Sequence, residues 1–350
     1  MAKVKPEVTI VGGGLAGLSL GVALLQRGLA VRLFEATSYP RHRVCGEFIR
    51  GVSEQTLRYL GVWDVLPAFH WQQSLRWFRG DALVFEGDLP SSALGLSRYV
   101  LDEALARAFV ELGGVLKTGQ RVNYGGEGVI GASGRRRDRT SPWVGLKLHA
   151  RGLDLSADLE MHSGSTGAGY VGLAEVENGW VNVSGLFEKS ALRLSSGAPG
   201  KLPPLQKMVT SMRRLGLDDL ASRVSQAEFR EGSLTGVEGV QFGWVDPDSN
   251  YWSLGDAVSM IPPFTGNGMS IAFESAALAV EPLLHWSDGA LSWEEALRIY
   301  QQRCERCFKP RVVLANGLHP LLTEKSFAPW LDPWLGSSLS PLPWLAEVIR

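Results

Sequence analysis

The chain has 350 residues, 45% hydrophobic and 20% charged, with a formal net charge of −1. That length admits roughly two domains, and the near-neutral balance leaves no electrostatic footprint for nucleic acid or an anionic membrane. Three cysteines exclude a disulfide framework and point to a reducing, cytoplasmic setting.

The opening "MAKVKPEVTIVGGG" enters a strand-like pattern with no room for a signal peptide, and no apolar run is long enough to span a bilayer. Val8 and Ile10 alternate into a turn made by Gly12, Gly13, Gly14, Ala16 and Gly17. A helical pattern through Leu18, Val22, Leu24 and Leu25 then stops at Gly28, and Val31 and Leu33 form a second strand that delivers Glu35. The spacing assigns work to each residue type. Gly12 makes the tight turn, Gly14 lets backbone approach a pyrophosphate, and Gly17 permits close helix–strand packing. The helix start offers free N–H groups to the phosphates, and Glu35 stands where a carboxylate accepts from a ribose. This unit predicts dinucleotide binding. "GLSLG" at Gly17–Gly21 imitates a nucleophile elbow, but Ser19 falls inside the helix rather than at the apex of the turn.

Further along, "QSLRWFRGDALVFEG" predicts a hairpin, and "LSRYVLDEALARAFVELGGVLKTGQRV" predicts a helix followed by a strand ending near Val122. Arg135, Arg136, Arg137 and Arg139 form a basic run that reads as a solvated loop or as a grip on a nucleotide phosphate. "WVGLKLHARG", "DLEMHSG", "GYVGLAEVENG" and "WVNVSGLFEK" alternate apolar and polar residues as half-buried strands do, and "PPLQKMVTSMRRLGLDDLASRV" has helical spacing. Trp77, Phe78, Tyr170, Trp180, Phe187, Phe242 and Trp244 recur in these segments and suggest an apolar pocket, or plain core. Cys304 and Cys307 have no second pair and no nearby histidine, so no metal site is expected. From Leu318 onward the prolines at 329, 333, 341 and 343 admit only short helices. Trp330, Trp334 and Trp344 there either dock on the body of the protein or contact a membrane surface peripherally.

Three stretches together resemble the FAD-dependent enzymes of the p-hydroxybenzoate hydroxylase fold. They are the first glycine unit, the Arg98-x-x-Leu101-Asp102 helix, and "YWSLGDAVSMIPPFTGNGMSIAFESA" at Tyr251–Ala276. Within that superfamily the geranylgeranyl reductase-like branch is most similar. Pro263-x-Thr265-Gly266-x-Gly268 followed by serine fits its pattern, Ser259 stands where aromatic hydroxylases often carry histidine, and "RVCGEF" matches its Cys-Gly element. The resemblance implies an α/β fold. A discontinuous Rossmann-like FAD-binding domain of glutathione reductase type (1–75, 97–140, 237–290) would join an antiparallel-sheet substrate domain (76–96, 141–236) and a C-terminal helical segment (291–350).

It also implies roles. Gly12, Gly13, Gly14, Ala16, Gly17 and Glu35 would hold the dinucleotide, Arg43, Cys45, Gly46 and Arg98 would lie along the phosphates and flavin, and Val122 would end the strand beside the adenine. Asp256 would face ribitol or pyrophosphate, and Gly266, Asn267, Gly268 and Met269 would open a helix toward the flavin. Cys45 and Tyr170 are the candidate catalytic acids. Arg41 and Arg43 would lower the Cys45 pKa, or the thiol would simply pack under the ring. Two departures stand out. The hairpin before "GASG" is almost absent, with Ser133 in place of the usual aspartate, and Tyr170 and Gly172 lack the branch's Trp and Phe-Pro partners. The expected activity is reduction of a carbon–carbon double bond in a hydrophobic small molecule, with NAD(P)H as electron donor. The alternatives are a flavin monooxygenase acting on a phenolic, polyketide or lipid-like ring, and a flavin-binding protein without turnover. Halogenation is disfavoured because the halogenase Trp-x-Trp-x-Ile-Pro element is missing.

Overall fold

The computed structural model describes residues 6–123, 125–135, 138–192, 204–246 and 251–327. It begins as the glycine pattern requires. Strand β1 (Val8–Val11) runs into helix α1 (Leu15–Gln26), and β2 (Val31–Phe34) follows in parallel register, Val8 opposite Val31. Helix α1 is buried on every side from Leu15 to Leu24, as a helix sandwiched between sheet and other helices must be. Next come β3 (Phe48–Ile49), α2 (Glu54–Tyr59), the hairpin β4 (His70–Arg79) and β5 (Ala82–Gly95), and α3 (Arg98–Glu111) capped by Ser97. Strands β6 (Val115–Lys117) and β7 (Val129–Gly131) precede a run of longer strands, β8 (Trp143–Arg151), β9 (Leu159–Ser163), β10 (Gly169–Glu175) and β11 (Val181–Glu188).

Helices α4 (Lys189–Leu192), α5 (Pro204–Arg214) and α6 (Asp218–Gln226) follow, then the short strands β12 (Glu228–Phe229), β13 (Thr235–Glu238), β14 (Gly243–Trp244), β15 (Trp252–Ser253) and β16 (Ser259–Met260). Two long helices, α7 (Gly268–Ser287) and α8 (Trp293–Thr323), close the described chain.

Two main sheets result. The smaller is wholly parallel in the order β15-β7-β1-β2-β6, and α1 packs between α3 and α7 over it. The larger follows the order β12-β8-β11-β10-β9-β4-β5-β3, with β13 also on β8. Its pairings are antiparallel except β4 with β9, which run parallel. One face of the larger sheet, with Val171, Leu173, Val183 and Phe187, buries against Met208, Met212 and Leu220 of α5 and α6. The other face looks toward the parallel sheet.

Two features depart from the sequence expectation. Strands β3 and β4 join the larger sheet before residue 75, and β13 straddles the boundary at 236/237. Strand β6 stops at Lys117 rather than at Val122. Gly119, at φ 70°, turns the chain, and Val122 lies in loop. Helix α8 runs 31 residues through Pro310 and Pro320, begun by a full Ser292/Glu295 capping box. The tryptophans and prolines at 329–344 lie outside the described residues.

Candidate cofactor and active site

Each glycine of the first turn has a separate steric reason. At Gly12, φ is 118° and a Cβ would overlap the Ala132 carbonyl. A Cβ on Gly17 would overlap the Gly12 carbonyl, and one on Gly13 the Tyr39 hydroxyl. Gly14 differs. A Cβ there would meet only the Arg98 guanidinium, at 3.9 Å, so its constraint comes from what approaches the open side. Ser19 is fully buried inside α1.

Glu35, just past β2, accepts from the Gly13 N–H at 2.8 Å and from the Thr37 N–H at 2.9 Å. Arg41 lies 2.6 Å from its Oε1 and donates to the Gly13 carbonyl at 2.7 Å. Burial works against the Glu35 charge, but Arg41 and the two amides outweigh it and hold the carboxyl below the usual range. Arg43 is 3.9 Å from Glu35 and also bears on Asp256. Past β6 the chain returns beside this segment, the Gly119 N–H donating to the Thr37 carbonyl at 3.2 Å and the Gln120 N–H to the Glu35 carbonyl at 3.0 Å, before reaching Val122.

The second glycine bend comes to the same place. Gly255, at φ 59°, sits so close to the first turn of α1 that a Cβ on it would lie 3.2 Å from the Ala16 Cβ. Asp256 beside it is pushed up by burial, while Arg98, Arg135 and Arg43 oppose that push. Arg135 thus belongs to this cleft rather than to a solvated loop, and Arg136 and Arg137 lie outside the described residues. Arg98 forks onto the buried Asp102 at 2.6 and 2.9 Å, and that carboxylate keeps it charged against its own burial. Gly266, at φ 70°, leaves room for the Phe48 ring, which a Cβ would overlap. Asn267 caps α7, and Met269 packs into the core behind it. A Cβ on Gly268, the first residue of α7, would meet nothing within 4 Å. Two open glycines at two helix starts, with Arg98 and Asp256 between, form the cradle an elongated dinucleotide needs.

The Cys45–Glu47 loop carries residues the sequence did not flag. Glu47, at φ 57°, is fully buried and accepts from Lys147 at 3.0 Å and from the Arg98 backbone N–H at 3.0 Å. Its other oxygen meets His149 at 2.5 Å. Lys147 also touches His42 at 3.2 Å, and Asn182 donates to the Cys45 and Gly46 carbonyls. Lys147, His149 and Asn182 alternate along β8 and β11, with His149 opposite Asn182, so one face of the larger sheet grips this loop. The Cys45 thiol is pushed up by burial, with Arg98 the main opposing charge. The expected lowering by Arg41 and Arg43 does not occur, because Arg41 turns to Glu35 and the sulfur lies in an apolar seat.

Tyr170 shares the face of Asn182 and Lys147, four residues down β10 from the level of Asn182. Burial lifts its hydroxyl far above the usual phenol range. Gly172, between them, would carry a Cβ without overlap, its nearest neighbours lying 3.9–4.0 Å away. Among the described residues no group of three or more His, Cys, Asp or Glu is placed to hold a metal ion, and no helix is long and apolar enough to cross a membrane.

Residues 5–76 match the family described as FAD binding domain. A menaquinone reductase of Mycobacterium tuberculosis is 26% identical over 372 residues, covering 93% of this chain and 86% of its own length. PqsL of P. aeruginosa, solved in complex with 2-aminobenzoylacetate, superposes with a TM-score of 0.73 at 18% identity over 92% of this chain and 98% of its own. A geranylgeranyl bacteriochlorophyll reductase-like protein of Thermoplasma acidophilum gives 0.72 at 16% identity, over 98% and 96%. The superpositions speak for the fold, and the sequence matches add the cofactor. With the two glycine bends meeting at Ala16 and Gly255, the chain is an FAD-dependent oxidoreductase built on the p-hydroxybenzoate hydroxylase fold.

Proposed function

We propose that the chain reduces a carbon–carbon double bond in an uncharged, hydrophobic small molecule such as an isoprenoid-bearing quinone. The observation that carries this reading is the pair of neutral acids on this side of the larger sheet, Tyr170 on β10 and the thiol of Cys45 in the loop held by Asn182, which burial keeps protonated at neutral pH. An isolated acidic substrate would find no cation on Tyr170, Gly172 or Leu186, whereas an apolar chain loses nothing by entering. The near full-length similarity to a menaquinone reductase supports the same substrate class.

In this reading Gly12, Gly13, Gly14, Ala16 and Gly17 seat the pyrophosphate at the start of α1, and Glu35 takes the ribose. Arg98 and Arg43 would neutralise phosphate charge, and Asp256 would accept from the ribityl hydroxyls. The α7 start at Gly266, Asn267, Gly268 and Met269 favours negative charge beside it. FAD held by these residues and reduced by NAD(P)H would supply the hydride for one carbon of the double bond. Tyr170 or Cys45 gives the proton to the neighbouring carbon and regains it from solvent, so one C=C becomes two C–H bonds. Asn182 holds the loop carrying Cys45, and the aromatic residues around Tyr170 exclude water. We place the protein in the cytoplasm, consistent with the free cysteines.

The test is a strictly anaerobic reaction of the reduced holoenzyme with a naphthoquinone bearing an isoprenoid tail. A mass gain of two hydrogens that survives re-oxidation of the ring in air supports tail reduction. Oxygen uptake matched to NADPH consumption, with a gain of one oxygen atom, would overturn it in favour of a monooxygenase.

A further inference from the structure

The Tyr170 O–H and His319 Nε2 are buried polar groups to which no partner falls within hydrogen-bond geometry among the described residues, the Phe264 backbone N–H bearing only on the Tyr170 oxygen. Their side chains belong to residues only 3% and 7% exposed. They come from distant parts of the chain, β10 and the last turn of α8. Backbone makes the join. The Ala168 N–H donates to the Thr323 carbonyl at 2.8 Å, and the Thr323 hydroxyl donates to the His319 carbonyl at 3.1 Å. The two rings then stand 6.0 Å apart at 79°.

Phe264 flanks both, 6.4 Å from Tyr170 and 6.2 Å from His319, and lies in the turn leading to α7. Trp143 and Phe242 close the sides of His319 at 5.0 and 5.2 Å. The box is therefore aromatic, sits next to the cofactor cradle, and is neutral. Burial holds His319 down to about 4 and the Tyr170 hydroxyl up. Unsatisfied polar atoms are rare in folded interiors, and two in one aromatic box are what a ligand site with a few convergent polar groups looks like. A hydrocarbon would leave both unsatisfied, and an anion would find no counter-charge on these five residues. An oxygen on an uncharged planar ring satisfies them and stacks with the walls.

We propose that Tyr170 and His319 form a clamp for the ring oxygen of the substrate, a carbonyl or hydroxyl on a quinone-like headgroup, with Phe264, Trp143 and Phe242 as its walls. The clamp rests on the reductase reading in that it orients a substrate of that class, but it acts in binding, and with the Tyr170 hydroxyl held by the ring oxygen it leaves Cys45 as the proton donor. His319 is a specificity-determining residue that no motif in the sequence marks.

Equilibrium binding to the FAD-loaded protein tests it, read by tryptophan fluorescence. The probes are a 1,4-naphthoquinone carrying an isoprenoid tail and the same tail on naphthalene without oxygens. Wild type is expected to favour the oxygenated ring by about tenfold or more, the worth of one or two buried hydrogen bonds. Tyr170→Phe and His319→Phe each lose most of that preference while binding the naphthalene probe as well as before. Thermal stability should stay level or rise, because each change removes an unsatisfied atom. Equal binding of the two probes by wild type, or an unchanged preference in both variants, overturns the clamp. Reduction of the naphthalene probe's tail with no binding preference would sink the clamp and spare the reductase reading. Clamp-like binding without any tail reduction would do the reverse.

Discussion

Asn182 Nδ2 donates to the Cys45 carbonyl at 2.9 Å and to the Gly46 carbonyl at 2.8 Å, so a fully buried residue of the larger sheet holds the loop that carries the thiol. Asn182→Leu keeps the volume and removes both donors. Two buried carbonyls lose their partner, which costs about 2–4 kcal/mol of stability. The loop is expected to loosen, and FAD affinity to fall with it. Urea denaturation and FAD titration check this, and wild-type values in both would rule out the clamp on this loop.

Lys147 and Glu47 make a buried ion pair at 3.0 Å, both side chains fully inaccessible. Lys147→Met strands a carboxylate whose charge Lys147 and His149 sustain against burial, at about 3–5 kcal/mol. The double change Lys147→Met with Glu47→Gln should recover much of that loss. Equal destabilisation by the single and double variants, measured by denaturant unfolding, would show that the pair is not coupled.

Because burial raises the Cys45 thiol, it should label slowly at pH 7.5 and faster as pH climbs above about 9. The measurement is alkylation followed by peptide mass spectrometry, in a Cys307→Ser background that removes the exposed competitor. Fast labelling of Cys45 at neutral pH would restore the activated-thiolate reading.

His319 ionises at about 4 in the folded protein, held down by burial, against about 6.5 when unfolded. Between those values the unfolded chain binds a proton that the folded chain does not, so stability rises with pH across that window. It is complete above about 6.5 and is eroded as pH falls, by about 2–3 kcal/mol at pH 4.5. His42, held near 3 by burial and Lys147, adds a smaller contribution of the same sign. Denaturant unfolding at pH 7.5, 6 and 4.5 should show this slope, and His319→Phe should flatten it. A wild-type stability independent of pH over that range would contradict the burial of both rings.

The cofactor half of the site could be read from sequence because its chemistry is local. Gly12 to Glu35 is one βαβ unit, and its strand and helix periods, glycine turn and carboxylate lie within a short stretch of chain. The 251–269 bend is likewise contiguous. Only their meeting, Gly255 against Ala16, needed three dimensions. The substrate half was illegible for the opposite reason. Lys147, His149 and Asn182 are single polar positions in alternating strands, where sequence cannot say which face is buried. His319 lies in a stretch where Pro310 and Pro320 argue against helix, yet capping at Ser292 and packing on α7 carry α8 through both. Sequence left an activated and a packed Cys45 both open because chain proximity to Arg41 and Arg43 is not spatial proximity. Arg41 is spent on Glu35. The strand toward Val122 ends early because Gly119, in the left-handed region, turns the chain.

Equilibrium titration of flavin-stripped protein with FAD bears most directly on the whole account, run for wild type, Gly14→Val and Gly268→Val. A Cβ on Gly14 would meet only the Arg98 guanidinium, at 3.9 Å, and one on Gly268 nothing within 4 Å, so the variants should keep the wild-type unfolding midpoint without flavin. Wild type should take up one FAD per chain, and each variant should bind at least tenfold more weakly. Wild-type protein that takes up no FAD, or variants that bind it as tightly, would show that these two bends do not share one cofactor.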